Sequence, residues 1–257
     1  MATFIIADLH LSTQHPELLK ALDNFYQRLN CNDKVIILGD FFDFFVGIDY
    51  QNNVHKKVRE LIGYNKTRGI TTFFICGNRD FLINKQAADF FNFTLLKEET
   101  KINTPQGPAL LLHGDELCVN DPKFQRFRHI TKNPILRGLF RALPLYLKKK
   151  IGLHIRQNSQ SQEKKRSVSE QAWQIILKEA KAYLNKHSCR ILIHGHFHIF
   201  ANDKEAFGKH SYRLALGSWG QNYSYVKIDE HNIKLIQKPL CDLMGISPIR
   251  GNSNTNS

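Results

Sequence analysis

Long hydrophobic runs are absent from this chain of 257 residues. A membrane-spanning helix needs roughly 18 to 20 consecutive apolar residues, and no stretch approaches that length. The N-terminus reaches Asp8 after a short apolar run and has no basic stretch of the kind that opens a secretory signal peptide. These absences predict a protein that remains in the cytoplasm.

Cysteine is scarce, and several catalytic motifs are missing. The five cysteines are scattered and include no Cys-x-x-Cys pair, which argues against a disulfide framework and against a zinc-thiolate site. Gly-rich phosphate loops and the His-Glu-x-x-His and Gly-x-Ser-x-Gly motifs do not occur. The sequence therefore disfavours nucleoside triphosphatases, dehydrogenases, zinc proteases and serine hydrolases.

Acidic residues are almost missing from one segment. Residues 123–166 contain 13 Lys and Arg but a single acid, Glu163, whereas bases and acids nearly balance in the rest of the chain. This basic segment therefore carries +12 of the formal net charge of +13. Pro and Gly interrupt the segment, and an apolar stripe at residues 135–143 predicts two or three short amphipathic helices.

The hydrophobic pattern predicts an α/β protein. Continuous apolar runs, typical of strands buried on both faces, occur at residues 3–7, 34–38, 72–76, 108–112 and 190–193. Helical periodicity after Pro16 and Val54 separates the first of these runs, and a capping box at Ser167 predicts another helix. Three further strands, in the manner of a meander, are predicted at residues 212–216, 223–228 and 233–237.

Each of the five predicted buried strands ends in residues that bind metals. The motifs are Asp-x-His at 8–10, Gly-Asp at 39–40, Gly-Asn-Arg-Asp at 77–80, His-Gly-Asp at 113–115 and His-Gly-His-Phe-His at 194–198. One such motif is more often structural, but five at the same topological position favour a ligand site beyond the carboxyl ends of the strands. Imidazole, carboxylate and amide groups without thiolate suit Mn²⁺, Mg²⁺, Fe²⁺ or Zn²⁺.

Spacing within two of these motifs predicts how their side chains are arranged. Asp8 and His10 are two residues apart, as are His196 and His198. On extended backbone, residues with this spacing project to the same side. We therefore expect each pair to point into the site together, and we expect His194 to be a structural neighbour.

The ordered set of motifs resembles the signature of the calcineurin-like metallophosphoesterases, and the resemblance covers nearly the whole chain except the tail. It implies a two-sheet β sandwich flanked by helices, with two Mn²⁺ ions. It also implies the ligands of those ions: Asp8, His10, Asp40 and His198 for one, and Asp40, Asn78, His113 and His196 for the other. Asp40 would bridge the two ions.

Within the family, the resemblance is greatest to members that act on UDP-2,3-diacylglucosamine in lipid A biosynthesis, on the segments 6–11, 77–82, 142–145 and 193–196. It implies a metal-dependent pyrophosphohydrolase with two ions about 3.5 to 4 Å apart. Activated water would attack the α-phosphorus and release UMP and 2,3-diacylglucosamine 1-phosphate, also called lipid X.

One departure from the family pattern is informative about the substrate. Most members have a His, positioned as a general acid, where this chain has Arg79. Such a His helps to expel a poor alkoxide, whereas a sugar phosphate leaving from a pyrophosphate is already a stable anion, for which a phosphate-binding guanidinium is more useful. The expected catalytic residues are Asp40, Asn78, Arg79 and His113.

The resemblance also implies substrate contacts. Besides Asn78 and Arg79, the expected set comprises Asp121, Ser159, Glu163, Arg166 and His196. Glu163 stands where an Asn is expected. Asp43, within a cluster of Phe residues, stands where similar members tend to have Glu, and the sequence suggests no function for it.

The basic segment has three interpretations. A charge run is by default a solvated face. Few aromatic residues are present to stack bases and no nucleic-acid motif is recognised, so nucleic acid is not expected as a partner. Bases that alternate with an apolar stripe suit an anionic membrane surface, which predicts peripheral attachment to the cytoplasmic face of the inner membrane.

The resemblance makes this segment a lid over the acyl chains of the substrate. It divides the chain into a metallophosphoesterase domain of residues 1–121 and 167–245, an inserted lid of residues 122–166 and a disordered tail of residues 246–257. Two alternatives stay open. Another calcineurin-like phosphodiesterase or nucleotide pyrophosphatase would share every metal ligand, and a non-enzymatic membrane- or nucleic-acid-binding protein would share the basic segment alone.

Overall fold

The structure is a computed structural model that describes residues 1–163, 170–203, 207–208 and 211–245, with the backbone alone for residues 157–163 and 170–172. The predicted disordered tail at 246–257 and the capping residue Ser167 lie outside the described residues. Within them, no helix combines the length and the apolarity that a membrane crossing requires.

Two β-sheets form the centre of the fold. The strands of the described residues are β1 (Thr3–Ile6), β2 (Lys34–Leu38), β3 (Thr71–Ile75), β4 (Phe93–Leu95), β5 (Thr100–Thr104), β6 (Gly107–Leu111), β7 (Ile191–His194), β8 (Ala201–Asp203), β9 (Tyr212–Ala215), β10 (Asn222–Ile228) and β11 (Ile233–Pro239). One sheet has the order β11-β10-β1-β2-β3-β4 and the other has the order β5-β6-β7-β9-β8. The predicted two-sheet α/β class is confirmed.

Helices cover the sheets and connect their strands. Those in the described residues are α1 (Pro16–Gln27), α2 (Asn53–Thr67), α3 (Lys85–Phe91), α4 (Pro122–Lys132), α5 (Pro134–Ala142), α6 (Leu145–Glu163), α7 (Glu170–His187) and α8 (Cys241–Met244). Parallel pairing of β1 with β2 and of β2 with β3 requires crossover connections. Helices α1 and α2 supply these connections.

The hydrophobic core has three parts. Between the sheets, inward-facing side chains of both interlock, including Ile5 and Ile36 from one sheet and Leu111 and Ile193 from the other. The opposite face of the first sheet packs against α1, α2 and α3. The opposite face of the second sheet packs against α7. This layering buries both faces of each sheet, which explains the continuous apolar runs of the central strands.

The structure corrects the predicted meander. Strand β9 lies in the second sheet, parallel to β7, while β10 and β11 form a hairpin that extends the first sheet beside β1. The chain therefore changes sheets between β9 and β10. Strands β4, β5 and β8 were not predicted, because they are short and carry few buried side chains.

Three helices, α4, α5 and α6, follow the strand β6 and precede α7, within the segment predicted as two or three short helices. Asp121 and Asn133 cap α4 and α5, and each helix begins with Pro. Helix α6 is longer than expected, at 19 residues. Helix α5 has no fully buried residue: Ile135, Leu136 and Leu139 are exposed, whereas Phe140 is partly buried against the core.

The Phe cluster of the sequence is part of the core. Phe41, Phe42 and Phe45 are buried, and His55 of α2 packs among them: its ring lies 5.1 Å from that of Phe42 and 5.6 Å from that of Phe45, centroid to centroid. His55 Nδ1 accepts a hydrogen bond from Asp49 N at 3.1 Å. Burial lowers the pKa of His55 to about 4, although the charge of Asp49 opposes the shift.

This depressed pKa predicts a loss of stability in acid. Below the usual His value of 6.5 the unfolded chain binds a proton that folded His55 does not accept until the pH nears 4, so the free energy of unfolding falls across this interval, by up to about 3 kcal/mol. His55→Asn keeps a hydrogen-bond acceptor but does not titrate. Urea unfolding at a series of pH values should therefore show a shallower decrease for this variant; equal pH dependence would contradict the assignment.

Candidate metal centre

All seven predicted metal ligands lie directly beyond the carboxyl ends of strands. They are Asp8 and His10 after β1, Asp40 after β2, Asn78 after β3, His113 after β6, and His196 and His198 after β7. Because β1, β2 and β3 are parallel in one sheet, β6 and β7 are parallel in the other, and the sheets are stacked, these loops meet at one edge of the sandwich. The structure brings all seven side chains into a single cluster.

The backbone of this cluster is unusual. Asp8, His10, Asp40, His196 and His198 all have positive φ angles, between 49° and 70°. Residues other than Gly adopt this left-handed conformation rarely, and it persists only where the surroundings enforce it. The expectation of extended backbone at the Asp8–His10 and His196–His198 pairs was therefore wrong. The left-handed turns redirect each side chain individually.

One half of the cluster contains Asp8, His10 and His198. The Nε2 atoms of His10 and His198 lie 3.0 Å apart, and His198 Nε2 lies 3.8 Å from Asp8 Oδ1. The other oxygen of this carboxylate, Oδ2, accepts a hydrogen bond from His196 N at 2.8 Å. The three residues offer donor atoms within 4.8 Å of one another, close enough to bind a single ion.

The other half contains Asn78, His113 and His196. Asn78 Oδ1 lies 2.9 Å from His113 Nε2 and 2.9 Å from His196 Nδ1, and these two nitrogens are 3.3 Å apart. His113 Nδ1 donates to Leu38 O at 2.7 Å, which directs Nε2 towards the cluster. The two members of the His196–His198 pair thus belong to different halves.

Asp40 lies between the halves. Its carboxylate Oδ1 is 3.5 Å from His113 Nε2, and Asp8, Asp40 and His113 offer donor atoms within 4.8 Å of one another. Asp8 belongs to both groups of donor atoms. The predicted bridging position of Asp40 is compatible with this arrangement.

Two glycines keep the strand ends close together. A Cβ atom added at Gly195 would collide with Asp8 Oδ2 and with Ala7 Cβ, and one added at Gly77 would collide with Asp40 Oδ1 and Asp40 N. Asp80, buried beside them, accepts hydrogen bonds from Gly77 N at 2.7 Å and from Phe41 N at 2.8 Å. It thereby fastens the loop after β3 to the loop after β2.

The electrostatics of the cluster call for a cation. Burial raises the pKa of Asp8 to about 6, despite the nearby His198 and His113. Burial also lowers the pKa of His10 well below its usual range. For His113, burial is outweighed by the charges of Asp40 and Asp8, and its pKa rises to about 9. A carboxylate or an imidazole in such surroundings is better balanced by a metal ion than by protons.

Unpartnered atoms in the cluster also fit a metal. Among the described residues, the buried atoms Asp8 Oδ1 and His10 Nδ1 have no hydrogen-bond partner. Buried polar atoms are nearly always satisfied, so Asp8 Oδ1, which faces His198, is an available ligand. The set of nitrogen and oxygen donors without sulfur suits a hard or borderline divalent ion. All five cysteines are free thiols, and none belongs to this set of donors.

Arg79 lies beside the cluster and is 7% exposed. Its backbone N donates to Asp40 Oδ1 at 2.9 Å, and its side-chain Nε lies 3.4 Å from Asp40 Oδ2. Arg79, His10 and His198 line a cavity of about 380 Å³ that opens to the solvent. The guanidinium is therefore placed where it can contact an anion bound at the cluster.

The remaining predicted contacts are less well described. Asp121 caps α4 by accepting a hydrogen bond from Phe124 N at 2.9 Å. Ser159 and Glu163 belong to α6, but their side chains lie outside the described part of the chain, as does all of Arg166. His194 is buried, with Nδ1 2.8 Å from Gly195 O and Nε2 3.5 Å from an Arg213 nitrogen.

Some residues around the cluster were not assigned roles from the sequence. Asp80 belongs to a quoted motif but was given no role, and Cys118, with Sγ 3.3 Å from His196 Nε2, was treated as a generic thiol. Asp43 and Arg156 contact each other near Arg79. The distance in sequence between Asp43 and Arg156 explains why no local pattern could reveal this pair.

Comparison with known proteins identifies the family of the chain. The profile of the family described as calcineurin-like phosphoesterase matches residues 1–200. The chain belongs to this family. Membership of this family implies binding of a divalent metal, and the cluster contains candidate ligand groups for it.

Several relatives within the calcineurin-like family are similar over nearly their whole length. The chain is 39% identical to the UDP-2,3-diacylglucosamine hydrolase of Edwardsiella ictaluri over 248 residues, which are 93% of this chain and 93% of the relative. It is 37% identical to the protein of the same name from Psychromonas ingrahamii, over 93% of this chain and 98% of that one. It is 35% identical to the protein of the same name from Salmonella arizonae, over 93% of this chain and 100% of that one.

The close packing around Gly195 predicts that a methyl group there displaces Asp8. We expect Gly195→Ala to weaken Mn²⁺ binding by about tenfold or more, since shifts of this kind at residues that orient ligands commonly cost that much. Calorimetric titration with Mn²⁺ measures the effect. Gly138→Ala is the matched control, because no atom lies within 4 Å of a Cβ at that position. Equal Mn²⁺ affinity of the two folded variants would contradict the prediction.

Proposed function

We propose that the chain hydrolyses the pyrophosphate bond of UDP-2,3-diacylglucosamine, giving UMP and 2,3-diacylglucosamine 1-phosphate in lipid A biosynthesis. The observation that carries the proposal is the buried Arg79 at the metal centre, in the position where most family members have a general-acid His. Relatives that bear the name of this hydrolase at 35–39% identity support the same substrate.

The proposed metals are two Mn²⁺ ions. Asp8, His10, Asp40 and His198 would hold one, and Asp40, Asn78, His113 and His196 would hold the other. When bound, the ions supply an activated water molecule and neutralise the charge of the reacting phosphate. Imidazole and carboxylate ligands held by buried loops fix the geometry of that site before the substrate enters.

The residues of the chain itself bind and orient the pyrophosphate. The Arg79 guanidinium, held at Asp40 and Asp43, offers planar donors that match phosphate oxygens, and the Asn78 amide lies beside it. The leaving sugar phosphate departs as a stable anion, so the site needs no proton donor for it. Electrostatic stabilisation by Arg79 replaces acid catalysis in this scheme.

The helices after β6 are proposed to be a lid, at residues 122–166, inserted in a catalytic domain of residues 1–121 and 167–245. A second cavity, of about 230 Å³, lies under α6. Its lining is largely apolar and includes Leu11, Phe42, Phe44, Val54 and Leu153. A cavity of this character suits the hydrocarbon of an acyl chain. The contacts proposed for Asp121, Ser159, Glu163 and Arg166 would lie at this lid.

Loss of a central ligand should abolish the reaction. Asp40 lies between the two halves of the centre, and His113 belongs to one of them. We expect that replacing either residue by Ala lowers the rate of UMP release in the presence of Mn²⁺ by on the order of 10³-fold or more, which is equivalent to several kcal/mol of activation free energy. Circular dichroism of each variant controls for folding. Full activity of either purified variant would refute the site assignment.

The same assay separates the proposal from its alternatives. The wild-type protein is tested on UDP-2,3-diacylglucosamine, UDP-glucose, ADP-ribose and cyclic nucleotides. Preference for the lipid nucleotide supports the proposal, whereas preference for another substrate makes the protein a different phosphodiesterase or nucleotide pyrophosphatase. Failure to bind Mn²⁺ and to hydrolyse any of them would indicate a non-enzymatic binding protein.

We further propose peripheral attachment to the anionic cytoplasmic face of the inner membrane, through the lid. Ile135, Leu139 and Tyr146 are 71%, 63% and 70% exposed, and Arg126 and Lys150 of the same three helices are exposed as well. Large apolar side chains in such a group favour insertion at the lipid interface, while the bases favour anionic headgroups. A substrate that carries two acyl chains would reside at that same surface.

Replacing two of these apolar side chains should weaken attachment to lipid. Ile135→Gln combined with Leu139→Gln removes roughly 1 to 2 kcal/mol of apolar transfer energy per residue, so binding to vesicles of phosphatidylethanolamine and phosphatidylglycerol should fall by at least about tenfold in a sedimentation assay. Tyr64→Gln is the control, because Tyr64 is an exposed apolar residue on α2, outside the lid. Unchanged binding of the double variant would rule out this surface.

A further inference from the structure

Asp43 lies between two arginines, one beside the metal-ligand cluster and the other in the helix α6. Its Oδ1 is 3.0 Å from an Nη1 donor of Arg79, beside the metal centre, and its Oδ2 is 2.5 Å from Nε of Arg156, in the helix α6. Asp43 is 8% exposed and Arg79 is 7% exposed. One carboxylate therefore contacts both a residue of the centre and a residue of the lid.

The contact with Arg79 fixes the direction of a long side chain. An Arg side chain has several rotatable bonds, and its orientation is usually secured by a partner that accepts its hydrogen bonds. Asp43 accepts from Nη1 through Oδ1, and its backbone O lies 3.5 Å from the same nitrogen. Asp40 lies on the Nε side of the guanidinium. Asp43 and Asp40 therefore hold opposite ends of the group.

The contact with Arg156 belongs to a continuous seam between α6 and the segment after β2. Lys149 Nζ lies 2.5 Å from Asp49 Oδ2, and a Cβ added at Gly152 would lie 2.8 Å from Val46 Cγ1. Lys149, Gly152 and Arg156 recur every three to four residues and so share one face of the helix. This face packs α6 against the segment after β2, and the Asp43–Arg156 contact is at the end of the seam nearest the metal centre.

Asp43 and Arg156 also separate two cavities. Both residues line the apolar cavity under α6, and both line the cavity that contains His10, His198 and Arg79. A substrate that places a pyrophosphate in the second cavity and an acyl chain in the first must pass beside this ion pair. The pair is thus located where binding of the lipid and orientation of the phosphate can affect each other.

We infer that Asp43 is a positioning residue: it directs the Arg79 guanidinium at the phosphate of the substrate, and through Arg156 it links this orientation to the seating of α6. The inference rests on the proposed function. Asp43 touches neither the reacting atoms nor a metal ion. It acts on the rate through Arg79, and its charge is required because it must accept a hydrogen bond from Arg79 and form an ion pair with Arg156 in a buried position.

Substitution of Asp43 should lower turnover more than it weakens substrate binding. In Asp43→Asn the side chain keeps its shape but loses its charge, so Arg79 is less well directed, and we expect kcat to fall on the order of 10- to 100-fold with a smaller change in KM. Mn²⁺ affinity should stay within about threefold of the wild-type value. Asp43→Glu retains a carboxylate and should restore most of kcat.

Asp49→Asn is the matched control. Asp49 pairs with α6 through Lys149 in the same seam, but none of its contacts in the described residues involves Arg79. If Asp43 acted only by holding the lid, the two Asn variants would have equal effects. We expect Asp49→Asn to change kcat by less than about threefold.

A double-mutant cycle tests whether Asp43 acts through Arg79. In an Arg79→Lys background the guanidinium that Asp43 orients is already missing. Asp43→Asn should therefore lower kcat much less in that background than in the wild type. Additive losses would overturn the inference. So would a loss for Asp43→Asn no greater than that for Asp49→Asn, or failure of Asp43→Glu to restore kcat. If Asp43→Asn does not fold, Asp43→Glu is compared with Asp43→Gln. These two variants have the same side-chain length and differ in charge, as Asp and Asn do.

The substrates are chosen so that this inference and the proposed function can fail separately. The kinetics are measured with UDP-2,3-diacylglucosamine and with bis(4-nitrophenyl) phosphate, a generic phosphodiester that does not need the acyl cavity. A wild-type protein that hydrolyses only the second substrate refutes the proposed function, while the Asp43 and Arg79 cycle is still read from that activity. A normal wild-type rate on the lipid nucleotide with no effect of Asp43→Asn refutes the inference alone.

Discussion

The central constraint on this structure is the burial of like charges at one edge of the sandwich. Asp8 is fully buried and Asp40 nearly so, and with His113 they offer donor atoms within 4.8 Å of one another. Two carboxylates in such an environment repel each other and lose their hydration. A divalent cation bound between them would offset this repulsion, and metal binding would then be coupled to the local fold.

This constraint explains the conformation of the surrounding loops. Ordinary extended strand ends would spread the ligands along the edge of the sheets, whereas left-handed residues at Asp8, Asp40 and His196 turn them inward. Gly77 and Gly195 allow neighbouring loops to approach within van der Waals contact of the two carboxylates, and Asp80 joins two loops through backbone hydrogen bonds. Conformational strain is thus concentrated at the metal centre and is supported by rigid strands on both sides.

The sequence predicted the central strands and the residue types of the centre because both depend on local patterns. Apolar runs such as residues 34–38 are buried on two faces, and each ends at a ligand. What local patterns could not show is which sheet a strand joins: β9 and β10 are consecutive strands, yet β9 pairs with β7 in one sheet and β10 pairs with β1, at the other end of the chain, in the other sheet. The same limit applies to Asp43 and Arg156, whose contact depends on how α6 packs.

Arg79 connects the electrostatics of the centre to the choice of substrate. A His at this position can give a proton to an alkoxide, whereas a guanidinium has no proton to give at neutral pH and contributes charge alone. A buried guanidinium also needs anionic partners before the substrate arrives, and Asp40 and Asp43 provide them. The arginine is therefore already oriented and largely desolvated, so it can stabilise additional phosphate charge with little reorganisation. Such a site favours reactions whose leaving group is itself a phosphate.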